Sequence, residues 1–197
     1  MRIYITFLLL LFFRNIFSQD SCFQKQVYDP AVDADNFKII PKRMDDFIKT
    51  FKGCQVPYFE GQTMTGEKIS SNNLIGKVVV LNFWFTRCKP CLGEFPALNL
   101  LAKKFSKKDV VFISFVLDSA KTVDAFLIRH PLLYQVIPAV NEIAKDFKIV
   151  AYPTNIVLDK NLRIAEIIHG GCVDPKFSLD NYKKLFPVIS RELKRRL

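Results

Sequence analysis

The segment Lys77-Val78-Val79-Val80-Leu81-Asn82-Phe83-Trp84 runs almost directly into Cys88-Lys89-Pro90-Cys91, and this junction constrains the fold more than any other part of the chain. Its first eight residues are mostly β-branched, aliphatic or aromatic, the pattern of a strand buried on both faces. Beyond the cysteines, Leu92, Phe95, Leu98, Leu101, Ala102 and Phe105 keep helical spacing to about residue 107. A strand that delivers two cysteines, three apart, to the start of a helix can close a small disulfide ring and open it again. The positive end of the helix dipole favours the thiolate of the first cysteine. The chemistry these residues point to is thiol–disulfide exchange.

A length of 197 residues suffices for one well-buried domain. Half the residues are hydrophobic and Phe alone occurs 19 times, which excludes a disordered chain. The formal net charge of +10 raises nucleic acid, anionic membranes or acidic proteins as partners. The lysines are scattered, however (Lys103, Lys104, Lys107, Lys108, Lys183, Lys184), and no aromatic-interleaved basic motif is present. Nucleic acid is therefore not an expected partner.

Residues 1–19 read as a signal peptide. Arg2 supplies the positive start, and residues 5–13 form an apolar core too short to span a bilayer. Arg14 and Asn15 interrupt that core, and a cleavage region follows near Ser18 or Gln19. An uncleaved anchor is the alternative. The residues before Cys22 do not form a lipobox. Residues 20–52 are then an N-terminal extension and residues 53–197 the main domain, in an exported protein of the periplasm or cell envelope. Disulfides persist in such a compartment. Of the five cysteines, Cys88 and Cys91 can pair during turnover, which leaves Cys22, Cys54 and Cys172. At least one of these three is unpaired or joined to another molecule, and Cys54–Cys172 is one available bridge.

In the extension, Asp29-Pro30 and Ile40-Pro41 are expected to break regular structure, and residues 44–51 to form a short amphipathic helix. Residues 53–76 read as a loop and hairpin turning at Thr65-Gly66-Glu67. Further strands are expected at 110–117, 133–137, 155–158 and 162–168, with helices at 121–129, 139–147 and 180–197. Pro96 is expected to kink the helix after the cysteines. Strands alternating with helices, then a hairpin and a last helix, give an α/β fold with a mixed central β-sheet flanked by helices.

The order strand, Cys-x-x-Cys, helix, then Tyr152-Pro153-Thr154 before a hairpin resembles the thioredoxin-like fold. The run from Gly76 to Trp84, Glu94-Phe95-Pro96 just after the cysteines, and an added strand and helix between Leu117 and Pro153 resemble its exported TlpA/ResA-like branch, over about residues 53–190. The resemblance implies an N-terminal β-hairpin, a strand–helix insertion and an extracytoplasmic thiol–disulfide oxidoreductase acting as a reductase. It also implies protein disulfide or thiol substrates, a membrane or periplasmic electron donor and no cofactor. Cytochrome c maturation is the best-known task of that branch.

Cys88, at the helix start and expected to be exposed, is the candidate nucleophile, with Arg87 and Lys89 favouring its thiolate. Cys91 is the candidate resolving thiol. Ordinary thioredoxins carry a buried Asp six residues before the first cysteine, and here that position holds Asn82, which cannot accept and return a proton. The resemblance suggests Glu94 as the replacement, one turn beyond Cys91 on the same helix face. The plainer alternative is a first-turn Glu that stabilises the helix dipole. Pro153 resembles the cis-proline that faces the cysteines in this fold, leaving the Tyr152 backbone open to an incoming peptide strand. Trp84 and Phe85 are expected to wall the site, and Trp84, Tyr152 and Pro153 to bind substrate, although Trp84 can equally serve the core.

Other readings of the cysteine pair fit less well. A zinc site needs two more ligands, and His130 and His169 are isolated in the sequence. Leu92 after Cys91 excludes a Cys-x-x-Cys-His haem attachment. A peroxiredoxin-like antioxidant places its cysteine in Pro-x-x-x-Thr-x-x-Cys, whereas Thr86 stands only two residues before Cys88. A non-catalytic binding module has no need for both cysteines.

Overall fold

The computed structural model describes residues 22, 23, 40–171, 173, 174 and 178–196. The candidate signal peptide, Asp29-Pro30 and Cys172 lie outside the described residues.

The first helix, α1, spans Ile40–Phe51. It starts four residues earlier than its apolar spacing predicts and takes in the Ile40-Pro41 step expected to break it. Proline is tolerated in a first helical turn because its missing N–H would be unpaired there in any case. Phe47 and Phe51 of this helix sit in the same core cluster as Leu81, Phe83 and Phe115 of the sheet. The described part of the extension thus packs on the same core as the residues beyond 53. Strands β1 (Glu60–Gln62) and β2 (Lys68–Ser70) form the hairpin, whose turn uses Gly66 at φ +86°.

The main sheet holds β3 (Val78–Trp84), β4 (Val110–Val116), β5 (Gln135–Ile137), β6 (Thr154–Leu158) and β7 (Ile164–His169), in the order β5-β4-β3-β6-β7. β3, β4 and β5 run parallel, while β6 runs antiparallel to β3 and β7 to β6. The mixed sheet of the α/β expectation is thus present. β3 lies at its centre and is buried along its whole length, as its mostly apolar run, broken only by Asn82, predicts. The insertion comprises α3 (Ala120–Leu127), capped by the Ser119 side chain, then β5 and α4 (Asn141–Asp146).

The two faces of the sheet bury different partners because side chains alternate along a strand. Val79, Leu81 and Phe83 face α1, the hairpin and α4. Val78, Val80 and Trp84 face α2 (Lys89–Phe105), α3 and α5 (Asp180–Lys194). Both long helices continue across their internal prolines, Pro96 and Pro187. Among the described residues no helix is long and apolar enough to cross a membrane.

Candidate active site

β3 ends at Trp84, and a short turn brings Cys88 to the N-cap of α2, with Pro90 in the first helical turn. Cys88 and Cys91 form a disulfide with a Cα–Cα distance of 5.3 Å. The Cys88 carbonyl accepts from the Cys91 and Leu92 amides at 3.0 and 3.2 Å, so the pair is tied into the helix start. Cys91 is fully buried, and Cys88, expected to be exposed, is only 5% exposed. The loop between the two cysteines is met by a tight backbone approach. A Cβ placed on Gly171 would lie 2.0 Å from the Pro90 carbonyl oxygen and 3.1 Å from Pro153 Cγ, so only glycine fits between them. The Tyr152–Pro153 peptide bond is cis, as the resemblance implies, and the Pro153 carbonyl accepts from the Gly170 amide at 2.9 Å.

Trp84 does not wall the site. It has no exposed surface, its Nε1 donates to Ser114 Oγ at 2.5 Å, and its ring packs edge-on against Phe95 with centroids 5.0 Å apart. It shares the face of Val78 and Val80 on β3, which points it under α2 and into the core. Phe85, the next residue, instead packs edge-on against Tyr152 with centroids 5.6 Å apart, and both are half-buried.

Glu94 is 2% exposed and faces the sheet from α2. Asn82 Nδ2 donates to its Oε1 at 2.8 Å, Asn155 Nδ2 donates to its Oε2 at 2.8 Å, and Asn181 Nδ2 makes a short contact with the same Oε2. Burial pushes the carboxyl up from 4.5 to about 7, against the downward pull of the three amides. A carboxyl that titrates there can take up and release a proton near neutral pH. The dipole-stabilising surface Glu of the plainer reading would be exposed, and this one is not. Tyr134, with a buried hydroxyl, is raised by burial and further by the charge of Glu94. A cleft of about 370 Å³ reaches Glu94 from solvent between Gly93, His169, Gly171, Asn181 and Lys184. His169 Nδ1 lies 2.7 Å from Thr154 Oγ1, and burial lowers the imidazole to about 4, so it is neutral at pH 7.

The model for the AhpC/TSA family matches residues 52–167. The chain belongs to that family. The thioredoxin-like protein YneN of Bacillus subtilis (strain 168) is 37% identical over 128 residues, covering 64% of this chain and 75% of that protein. The thiol-disulfide oxidoreductase ResA of Bacillus thuringiensis subsp. konkukian (strain 97-27) is 35% identical over 140 residues, covering 68% of this chain and 79% of that protein. Among solved structures, a thiol:disulfide interchange protein of the thioredoxin family from Chlorobium tepidum TLS superposes with a TM-score of 0.57 at 24% identity, covering 71% of this chain and 95% of that one. The thioredoxin-like fold is thereby shown, and this AhpC/TSA chain is an enzyme, a thiol–disulfide oxidoreductase.

The structure gathers Cys88, Cys91, Glu94, Tyr152 and Pro153 at one end of the sheet and leaves Trp84 inside. Three neighbours had no role in the sequence reading. Asn155 carried a signal, since an amide in an otherwise apolar buried strand needs a partner. Gly171 and Asn181 follow β7 with nothing in the local sequence to mark them.

The second disulfide differs from the bridge weighed in the sequence. Cys54 pairs with Cys22, with a Cα–Cα distance of 6.1 Å, and not with Cys172. Phe23 beside it stacks on Phe51 with centroids 4.4 Å apart, which places Cys22 and Phe23 against the α1 side of the core.

Proposed function

We propose that this chain is an extracytoplasmic reductase of protein disulfides. Cys88 attacks one sulfur of the substrate disulfide, forming a Cys88–substrate mixed disulfide and releasing the substrate's other sulfur as a thiolate that takes a proton. Glu94, ionised, then accepts the Cys91 thiol proton. The Cys91 thiolate attacks Cys88 Sγ, the Cys88–Cys91 bond forms, the Cys88–substrate bond breaks, and the substrate leaves with both cysteines reduced. A donor dithiol outside this chain returns two electrons to restore the cysteines. The observation that carries this reading is the Cys88–Cys91 pair at the start of α2 with a buried carboxyl, Glu94, one helical turn beyond Cys91.

The Tyr152 backbone and the Phe85–Tyr152 pair, beside cis Pro153, are the proposed docking edge for the substrate peptide. Export is supported by the signal-like residues 1–19 and by the Cys22–Cys54 bridge, which lies apart from the redox pair and would not persist in a reducing cytosol. Cytochrome c maturation, with its paired cysteine thiols, is the task proposed from the likeness to the TlpA/ResA-like branch. A peroxiredoxin reading is disfavoured by the Cys88–Cys91 bond itself, which joins cysteines within one helical turn.

Dithiothreitol-driven reduction of insulin tests the proposal. The wild-type chain is expected to accelerate it and Cys88→Ser to abolish the acceleration. Activity that survives Cys88→Ser removes the assignment.

A further inference from the structure

Burying a carboxylate is costly unless hydrogen bonds replace the water it loses. For Glu94 the replacement comes from asparagines on three separate elements. Asn82 of β3 donates to Oε1 at 2.8 Å, and Asn155 of β6 and Asn181 of α5 donate to Oε2, the former at 2.8 Å. The amides also brace one another. Asn82 Nδ2 donates to Asn155 Oδ1 at 3.1 Å, and Asn181 Nδ2 donates to the Gly170 carbonyl at 3.2 Å.

Packing gives no reason for these residues. Asn82 and Asn155 stand directly opposite each other in the β3–β6 register, with Leu81, Phe83 and Ile156 as chain neighbours, all buried. Asparagine is depleted from strands, and a buried amide is costly without partners. Electrostatics does give a reason. A lysine or arginine here would hold the carboxylate ionised far below neutral pH, and an apolar pocket would hold it protonated well above. Amide donors carry no net charge and act between these limits.

We propose that Asn82, Asn155 and Asn181 are positioning residues that keep the buried Glu94 carboxylate in its ionised, proton-accepting form. The proposal rests on the reading of Glu94 as the base for Cys91. A carboxylate offers acceptors only, so all three donors are satisfied while it is charged. Among the described residues Oε1 accepts from Asn82 alone, so the acceptor site left open for a proton is on that oxygen. Asn82 Oδ1 is buried without a hydrogen-bond partner among the described residues. Other ionisable groups face the same place: Cys91 on α2, the Tyr134 hydroxyl, and His169 of β7 with Asp180 and Lys184 of α5 along the cleft. None of these donates a hydrogen bond to Glu94 among the described residues, so the asparagines are the groups to vary.

The test uses the full chain carrying Asn155→Leu, Asn181→Leu or Asn181→Gln. The Glu94 carboxyl is titrated by carbon-13 NMR of glutamate-labelled protein, its signal assigned by its loss in Glu94→Gln. The two leucine variants are expected to move its midpoint upward by about one unit, a roughly tenfold smaller ionised fraction below the midpoint, and Asn181→Gln to restore most of the shift. Should Asn155→Leu fail to fold, Asn181→Leu beside the cleft carries the comparison alone. A second readout is the pH profile for release of a Cys88-linked peptide by Cys91. If the carboxyl midpoint rises while Glu94→Gln leaves that release profile unaltered, the asparagine role is upheld and the role of Glu94 as base is lost. A carboxyl midpoint that stays at its wild-type value in the leucine variants overturns the proposal, whatever the release rates.

Discussion

Gly171 lies against the carbonyl oxygen of Pro90 so closely that a methyl group in place of its hydrogen would fall 2.0 Å from that oxygen. The contact joins the segment after β7 to the middle of the Cys-x-x-Cys loop. Because the obstructing atom is backbone, it cannot swing aside. Gly171→Ala is therefore expected to push the Pro90 turn outward, lowering stability by roughly 1–3 kcal/mol, the usual cost of overpacking, and slowing insulin reduction. Urea midpoints and turnover together check this, and an alanine variant with wild-type values of both shows the contact to be unimportant.

Glu94 gives the protein a pH-dependent stability whose sign is fixed. Its folded-state value of about 7 exceeds the ordinary 4.5, so the folded chain binds more protons than the unfolded chain between those limits. Stability from this group is fully present below about 4.5 and declines as pH rises through 7, by about 3 kcal/mol in all. His169 acts in the opposite sense. Burial lowers it from 6.5 to about 4, so its contribution increases with pH across that window. Glu94→Gln is expected to gain stability relative to wild type as pH rises from 5 to 8, read as the difference in urea midpoints. A difference that does not change with pH contradicts the buried, raised carboxyl.

Cys91→Ser leaves the attacking thiol and removes the resolving one. Mixed disulfides between Cys88 and substrate peptides are expected to accumulate in this variant, visible as thiol-sensitive adducts by mass spectrometry. Cys88→Ser should collect none, since Cys91 has no exposed surface. Adducts on Cys91 would reverse the assigned roles.

The Cys22–Cys54 bridge closes a loop spanning 32 positions and anchors Phe23 on Phe51. Losing such a link costs about 2–4 kcal/mol. Cys54→Ser should lower the thermal midpoint while leaving insulin reduction at low temperature unchanged, and peptide mapping under non-reducing conditions should recover the Cys22–Cys54 pair. Recovery of Cys54 joined to Cys172 contradicts the structure.

The features most legible in the sequence were those written in local patterns. The largely apolar run of β3 marked the centre of the sheet, and the cysteine spacing at a helix start marked the redox pair. Asn82 was legible as a missing acid, and the resemblance to the TlpA/ResA-like branch pointed to Glu94 as the proposed replacement. What escaped depends on contacts between distant segments. Asn155 and Asn181 meet Glu94 across 61 and 87 positions, and Gly171 matters only because Pro90 lies beside it. Connectivity of the remaining cysteines was open for the same reason, and Cys22 rather than Cys172 proved to be near Cys54. Trp84 was ambiguous because an aromatic residue at the end of a strand can face either the core or the site, and its complete burial under α2 is a property of the packing, not of the local sequence.

The reduction potential of the Cys88–Cys91 couple, measured by equilibration with glutathione or dithiothreitol, tests the central claim most directly. A reductase of protein disulfides requires a couple toward the reducing end of the thioredoxin-fold range, near −270 mV. A value near −120 mV, the oxidising end of that range, would make the enzyme a donor of disulfides and contradict the account.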